Sequence, residues 1–479
     1  MSTPKVLIAA AESAPFVTTG GLAEVMGALP KALAQLGAEV AVIMPKHSEV
    51  KQKYQNKLEN VLALNISMGW RNQYMGIETL VLSGVRYYFI DNEYYFNGPV
   101  YRGGDAEAEQ YLYFCRAVLE ALPFIDFKPD IIHANDWHTA MIPMLIRTQY
   151  QEREQGSIKT VFTIHNLHFQ GQMPFDRIAD MLSVPPAYYS PEYLEAYGCA
   201  NMMKAGIVFS DKVTTVSPTY AKEILHPFYG KGLEGILYAR RNDLSGIANG
   251  IDCEEYCPKT DEKLPFQFEL SDISGKYRNK AELIKEFHMG IDENTPILCM
   301  VSRMTEQKGI DLVRAVLEEV LSENAAIVIV GSGEKQYEDY FNYIAARYPG
   351  NSGIYIGYDN ALAHRVYAGS DFLLMPSLFE PCGMAQMIAQ SYGTLPIVRE
   401  TGGLCDTVRP YNIYTQEGDG FSFQNYNAHD MLNVIWFALN VYKDKAALLR
   451  LIKNAMNADN SFLKSAKEYK ALYEALVEG

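Results

Sequence analysis

The sequence predicts an α/β protein with two domains, each built on a doubly wound parallel sheet. At 479 residues the chain is too long for one ordinary core. Short, almost continuously apolar runs alternate with longer segments whose apolar residues recur at helical spacing. Such runs are typical of strands covered on both faces, as parallel strands between helices are. Two sheets with helices on both faces therefore follow.

The individual elements follow from the same pattern, taken along the chain. Buried strands are predicted at Lys5–Ala9, Val40–Met44, Ile131–Ala134, Val161–Ile164 and Lys212–Val216 in the first half, and at Ile297–Ser302, Ala326–Val330, Phe372–Met375 and Leu395–Val398 in the second. Gly309–Leu321 has helical spacing and is predicted as a helix. Val61–Phe96 alternates and is rich in aromatic residues, which predicts an antiparallel hairpin addition.

Domain limits are set by the polar segment Arg240–Leu244, the weakest link between the two halves. The predicted N-terminal domain covers residues 1–243, with the addition at about 61–96, and the C-terminal domain covers 244–455. The amphipathic segment Lys464–Leu476 predicts a helix within 456–479 that packs back on the first domain.

Composition excludes several classes of partner. The formal charge is −15, which disfavours nucleic acid because phosphate backbones need a broad basic surface. No segment has the roughly 18 apolar residues of a membrane span, and Lys5–Ala11 is too short for a signal sequence. Seven cysteines without a CxxC pair indicate a reducing compartment. A cytoplasmic protein without a membrane partner is expected.

The same four-residue motif, Thr-Gly-Gly-Leu, occurs at Thr19–Leu22 and at Thr401–Leu404. Glycine pairs allow backbone N–H groups to approach a ligand closely, and a helix N-terminus favours anions. Each copy is predicted as a turn leading into a helix. One such loop in each domain predicts an interdomain cleft with amides that face phosphate from both walls.

Polar residues follow several predicted strands, where ligands of open parallel sheets bind. Arg303 and Lys308 flank a turn, and their positive charges suit a diphosphate leaving group. Alternatively, they are ordinary surface cations on a solvated turn, without a binding role. Glu380 suits sugar hydroxyls, or alternatively satisfies the amides of the following helix. His165 is positioned to hydrogen-bond a substrate or, as for most histidines at strand ends, is structural.

Other chemistries lack their motifs. Neither GxSxG, a Walker sequence nor HExxH is present, which removes support for hydrolase, P-loop and zincin chemistry. His133 and His138 lie five apart around Asp136, a spacing that does not indicate a metal site. These histidines are therefore not assigned to a metal.

Ordered motifs along the chain carry a family resemblance. They are Ala10–Glu12, Phe16–Val25, His133–His138, Thr163–Asn166, Gly246–Asp252, Val301–Arg303, Gln307–Gly309, Phe379–Gly383, Tyr392–Pro396 and Thr401–Leu404. In these the chain closely resembles bacterial glycogen synthases and plant starch synthases over essentially its full length. The resemblance implies a GT-B fold and transfer of glucose from ADP-glucose, a substrate rather than a cofactor, to the non-reducing 4-hydroxyl of an α-1,4-glucan, with retention and without metal.

The resemblance also implies roles for matching positions. Arg303 and Lys308 would neutralise the diphosphate, Glu380 would hold the glucose hydroxyls, and His165 would contact the glucosyl unit; these four are the catalytic candidates. The implied substrate-binding residues are Thr18, Gly20, Gly21, Glu24, Asp136, Asn249, Cys382, Gly383, Met384, Thr401, Gly402 and Gly403.

The chain departs from the family pattern at four places. Thr18 stands where the family usually has lysine, and Glu24 replaces an aspartate. Met384-Ala385 replaces Leu-Thr or Leu-Ser, and Asn460–Leu463 lacks a tryptophan. Two alternatives to an active ADP-glucose enzyme therefore stay open: a weakened or inactive paralogue that binds glucan as a regulatory subunit, and a synthase with another donor such as UDP-glucose.

Overall fold

A computed structural model describes residues 3–478, which fold as two compact α/β units. One unit contains the chain up to Asn249 and again from Phe462 onward, and the other is Gly250–Ser461. Residues 1, 2 and 479 of the predicted domain limits lie outside the described residues.

The strands are β1 Lys5–Ala9, β2 Glu39–Pro45, β3 Glu59–Met68, β4 Arg71–Leu82, β5 Val85–Asp91, β6 Ile131–Asn135, β7 Lys159–Ile164, β8 Gln172–Met173, β9 Glu195–Ala196, β10 Cys199–Asn201, β11 Lys212–Thr215, β12 Leu244–Gly246, β13 Ile297–Val301, β14 Ala326–Gly331, β15 Ser352–Ile356, β16 Phe372–Met375, β17 Leu395–Arg399 and β18 Phe421–Phe423.

The helices are α1 Gly21–Gln35, α2 Ser48–Tyr54, α3 Glu93–Phe96, α4 Gly104–Ala121, α5 Met141–Thr148, α6 Phe175–Leu182, α7 Met202–Phe209, α8 Pro218–Glu223, α9 Pro227–Gly230, α10 Glu234–Ala239, α11 Ser274–Glu286, α12 Ile310–Ser322, α13 Lys335–Arg347, α14 Asn360–Gly369, α15 Ala385–Ser391, α16 Gly403–Thr407, α17 Ala428–Lys443, α18 Lys445–Met456 and α19 Phe462–Glu478.

The first unit is built on a sheet in the order β12-β11-β7-β6-β1-β2-β5-β4-β3. Strands β12 to β5 of this row are parallel, and β4 and β3 continue it antiparallel. The parallel strands are buried almost throughout because helices cover both faces. A small antiparallel sheet, β8-β10-β9, lies in the same unit.

The second unit has one parallel sheet in the order β15-β14-β13-β16-β17-β18. Leu298, Ile327 and Leu374 of its strands pack with Val316 of α12 and Ile435 of α17 in a continuous apolar core. In both sheets the strand order reverses beside the first strand, between β1 and β6 and between β13 and β16. Ligands of doubly wound sheets bind at such switch points.

The predicted fold class is confirmed, since every predicted buried strand is present as a parallel strand. Weakly apolar strands such as β12 and β18 were not predicted. Because β12 pairs with β11 in the first sheet, the structural division between the units lies after Asn249 rather than after residue 243. Of the described helices, none is sufficiently long and apolar to cross a membrane.

Helix α19 packs against α1. It also contributes a hydroxyl to a buried series of hydrogen bonds in the first unit. His133 lies between the hydroxyls of Tyr473 on α19 and Thr163 on β7, at 2.7 and 2.5 Å. Burial lowers the pKa of His133 to about 3. The ring is therefore neutral in the folded protein, and both of its nitrogens contact hydroxyls of the buried core.

Acidification is expected to destabilise the first unit through this histidine. In the unfolded chain His133 is protonated near pH 6.5, whereas in the folded protein it stays neutral down to about pH 3. The contribution of neutral His133 to the free energy of unfolding is therefore complete above pH 6.5 and is lost as the pH falls toward 3. Between pH 7 and 5 the loss is about 2 kcal/mol for one such group. Thermal unfolding across this range should show a shallower decline for His133→Gln than for wild type. A decline equal to that of the surface control His429→Gln would contradict the expectation.

Candidate active site

Four polar side chains of the second unit follow the two strands that flank its switch point. Arg303 and Lys308 come after β13, and Ser377 and Glu380 come after β16. The two loops are joined by backbone bonds, since the N–H of Leu378 donates to the carbonyl of Gln307 at 2.8 Å. Gly309, with φ of 69°, packs so closely on the carbonyl of Pro376 that a Cβ would not fit.

Lys308 and Glu380 form a largely buried ion pair. The ammonium lies 2.6 Å from Oε2 of Glu380, and the hydroxyl of Ser377 donates to the same oxygen at 3.0 Å. The side chains are 17% and 7% exposed. The contacts of the Glu380 carboxylate are thus a cation and a hydroxyl rather than the amides of the following helix. A paired charge held this firmly is oriented before any substrate arrives.

Arg303 lies five residues before Lys308, in the loop that follows β13, and is exposed. Within residues 3–478, its guanidinium makes no hydrogen bond or ion pair to protein. A planar group with five donors is therefore available to an anion in solution.

The second Thr-Gly-Gly-Leu copy is buried and serves the Glu380 loop. Gly402 has φ of 46°, and a Cβ there would lie 1.9 Å from the carbonyl oxygen of Glu380, which is too close for any side chain. The N–H of Gly403 donates to the carbonyls of Glu380 and Pro381, at 3.2 Å each. Thr401 is also buried. These glycines let two backbones touch, a different use from the predicted presentation of amides to phosphate.

The remaining predicted residues of this unit lie at the start of α15. Cys382 is buried, and Gly383 has φ of 74°. Met384 is half-buried at the N-cap position. The Gln386 side chain closes the turn by donating to the carbonyl of Gly383 at 3.0 Å.

In the first unit, the Thr-Gly-Gly-Leu motif at Thr19–Leu22 lies between β1 and α1, and its glycines are exposed to solvent. Residues 18–21 all lie at the surface, and a Cβ on Gly20 would meet no described atom within 4 Å. Gly20 has φ of −173°, an extended conformation open to any residue. Neither backbone strain nor crowding within the described residues explains a glycine there.

A buried carboxylate that sequence reasoning did not assign holds this loop. Oε2 of Glu12 accepts from the N–H and the hydroxyl of Thr19, at 2.7 and 2.8 Å. Its other oxygen accepts from the hydroxyl of Tyr101 at 2.9 Å. Burial raises the pKa of Glu12 and the three hydrogen bonds partly offset this. The sequence signals for Glu12 were its place three residues after the end of β1 and its part in the family motif Ala10–Glu12.

Asp136 and His165 follow β6 and β7 and are brought together. Asp136 has φ of 59°, and its Oδ1 accepts from the N–H groups of His165 and Asn166, at 3.0 and 3.4 Å. Burial raises the pKa of Asp136 to about 7 and lowers that of His165 to about 3. His165 contacts Oδ1 of Asn135 through Nε2 at 2.9 Å. The imidazole is therefore neutral and fixed in orientation, and suits hydrogen bonding to an uncharged hydroxyl.

For two further predicted residues, Asn249 and Glu24, the structure gives the burial and the backbone position. Asn249 is buried, and its N–H donates to the carbonyl of Val216. Glu24 is half-buried in the first turn of α1. No group of three potential metal-ligating side chains occurs in the described part of the chain.

Comparison with known proteins shows to which class of protein this chain belongs. Residues 5–239 match the model of the starch synthase catalytic domain, and 283–458 match glycosyl transferases group 1. The catalytic domain of starch synthase IV from Arabidopsis thaliana, solved with ADP and acarbose, superposes with a TM-score of 0.92 at 32% identity, covering 100% of both chains. The two parallel-sheet units and these matches define a GT-B glycosyltransferase.

Its relatives narrow the class to one family. Glycogen synthase of Geobacillus thermodenitrificans (strain NG80-2) is 50% identical over 99% of this chain and 98% of its own length. Glycogen synthase of Bacillus anthracis is 48% identical over 99% and 100%. The chain belongs to the glycogen synthase family of glucosyltransferases. This kinship supports the synthase interpretation over the glucan-binding subunit.

Proposed function

We propose that this protein extends an α-1,4-glucan by transferring glucose from ADP-glucose to the 4-hydroxyl at the non-reducing end, with retention of configuration. The observation that carries the proposal is the ordered pair of Lys308 and Glu380, in a loop whose other cation, Arg303, is exposed and makes no side-chain bond within the described residues. The ADP bound by the related starch synthase supports the choice of adenine nucleotide. Action in the cytoplasm, without metal or further cofactor, belongs to the same proposal.

The cations act on the leaving group. Negative charge grows on the diphosphate as its bond to the sugar C1 breaks, and fixed cations stabilise that charge most in the transition state. Lys308 is held at one position by Glu380, and Arg303 offers a fork that matches phosphate oxygens. The carboxylate of Glu380 retains a second oxygen for glucose hydroxyls.

Proton transfer is assigned to the substrates themselves. The acceptor oxygen bonds to C1 on the face that the diphosphate leaves, and the hydroxyl proton passes to a departing phosphate oxygen. Glu380 is neutralised by Lys308, and Asp136 is bound to two amides, so neither carboxylate is arranged as a free base or nucleophile. His165 and Gly20 are assigned to the sugar and phosphate.

The test is incorporation of labelled glucose into glycogen from ADP-glucose and, separately, from UDP-glucose, with and without a chelator. Incorporation from ADP-glucose that the chelator leaves unchanged is expected, and the anomeric configuration of the added unit reports retention. Preference for UDP-glucose would replace the donor in the proposal. Binding of glucan without transfer from either donor would favour the non-catalytic alternative.

Thr18→Lys is expected to lower the donor KM by about tenfold, the effect of adding one charge-assisted phosphate contact. Thr18 is exposed, two residues before Gly20, so a longer side chain can extend into solvent without repacking. Thr18→Gln, which has similar length without charge, is the matched control and should show no gain. Equal kinetics for both variants would mean that no phosphate lies within reach of this position.

A further inference from the structure

Trp70 projects from the turn between β3 and β4 with 80% of its surface exposed. Its indole N–H donates to Oδ1 of Asp180 on α6 at 3.0 Å, and the guanidinium of Arg71 lies 4.6 Å from the ring centre. Arg71 in turn pairs with Oδ2 of Asp180 at 2.7 Å. The ring is thus fixed although little of it is buried.

The turn itself is built to hold this position. Gly69 has φ of 61°, and its Cβ position coincides with the carbonyl of Asp180. Only glycine allows the turn to contact α6 so closely. The chain therefore uses a glycine, an ion pair and a hydrogen bond to keep an apolar ring in solvent, an arrangement that contributes little to the core.

The position of Trp70 relates it to the proposed acceptor residues of the same unit. The pairing of β4 with β5 begins at Gly76 opposite Asp91, the last residue of β5. The start of β4 and the turn therefore extend past the carboxyl ends of the parallel strands, the edge where Gly20 and Asp136 follow β1 and β6. Three strand spacings separate β1 from β4, or about 14 Å.

We propose that Trp70, Arg71 and Asp180 form a secondary binding platform for the α-glucan acceptor, outside the catalytic residues; this rests on the proposed function. The apolar C–H face of a pyranose stacks on the indole. The guanidinium of Arg71 lies over one face of the indole, so the sugar stacks on the other face. The Asp180 carboxylate, at the edge of the ring, accepts hydrogen bonds from sugar hydroxyls. A polymer held at a second point has a raised effective concentration at the first.

The surroundings favour a sugar over a protein. A stable protein interface needs on the order of 1,000 Å² or more of complementary surface. Here one apolar ring is followed by the polar run Arg71-Asn72-Gln73 and bordered by Asp180. A single ring with a charged rim matches one or two sugar units. Its rigidity also lowers the entropy cost of stacking.

The test compares wild type with Trp70→Ala in two measurements on the full chain. Affinity electrophoresis in glycogen gels is expected to show about tenfold weaker retention for the variant, and KM for glycogen as acceptor should rise by about the same factor. KM for maltotriose and kcat should not change, because a short acceptor cannot span both places. Trp70→Phe, which keeps a ring, should retain most of the affinity, and the exposed control Tyr414→Ala should behave as wild type.

The outcomes separate the platform from the proposed function. If no donor supports transfer, the proposed function fails while glycogen retention still reports on Trp70. Unchanged retention and KM in Trp70→Ala would overturn the platform, as would equal effects on both acceptors or on kcat, which would place Trp70 in the catalytic site. A change in molecular mass by light scattering with glycogen binding intact would assign the ring to a protein contact instead.

Discussion

Lys308→Gln is expected to lower kcat/KM for glucosyl transfer by about a thousandfold, since removal of one preorganised charged group costs roughly 4 kcal/mol in the transition state. Two effects combine. The variant removes a cation assigned to the leaving diphosphate, and it leaves the largely buried carboxylate of Glu380 with only the hydroxyl of Ser377. Initial rates with saturating glycogen and varied ADP-glucose measure the loss.

Stability distinguishes the two effects. An uncompensated buried carboxylate costs about 3–5 kcal/mol, so thermal unfolding of Lys308→Gln should begin earlier. In Lys308→Gln/Glu380→Gln the unpaired charge is gone, and we expect stability to recover while transfer stays low. The control Lys335→Gln breaks an exposed pair with Asp339 and should change neither property. Recovery of transfer in the double variant would refute the role assigned to Lys308.

Much of the fold could be predicted because continuous apolar runs carry the signal for buried parallel strands. Strand β1 was predicted to the residue, as was β16. The failures have a physical origin: β12 is half-buried and only three residues long, so its assignment depends on pairing with β11, a contact distant in sequence. Pairing partners of this kind leave no local pattern.

Position along the chain also carries the signal for the candidate site, whose roles stay predictions. Residues that follow buried strands are marked by their position, and this picked out Arg303, Lys308 and Glu380, of which the structure pairs the last two. Glu12 also follows a strand but faces its own loop, and Ser377 acts through a three-residue turn. Their roles depend on side-chain direction, which spacing does not specify.

The two Thr-Gly-Gly-Leu copies show the limit of a motif. Identical letters predicted identical roles, yet one copy is exposed and the other is packed under the Glu380 loop. A glycine is required wherever another group must come close. The sequence does not say whether that group is a ligand or the protein's own backbone.

Alanine substitution in each copy should separate these uses. Gly402→Ala must displace the backbone of Glu380 and adopt a φ of 46°, so we expect a loss of about 3 kcal/mol in stability, roughly 8 °C in Tm, together with most activity. Gly20→Ala meets open space at an extended φ, so its Tm should fall by no more than about 3 °C, the cost of a poorer N-cap.

Activity nevertheless should fall steeply in Gly20→Ala, by about a hundredfold in kcat/KM, because the proposal assigns Gly20 to the donor and no described atom lies within 4 Å of the added methyl group. Gly350→Ala, also in open space but distant in sequence from every proposed site residue, is the matched control and should retain full activity. Differential scanning fluorimetry and initial rates on the same preparations provide both readouts. Wild-type activity in Gly20→Ala would remove the exposed loop from the donor site. A wild-type Tm in Gly402→Ala would show that the Glu380 loop moves to admit the methyl group without a loss of stability. The buried glycine would then not be what holds the ion pair of Lys308 and Glu380 in position.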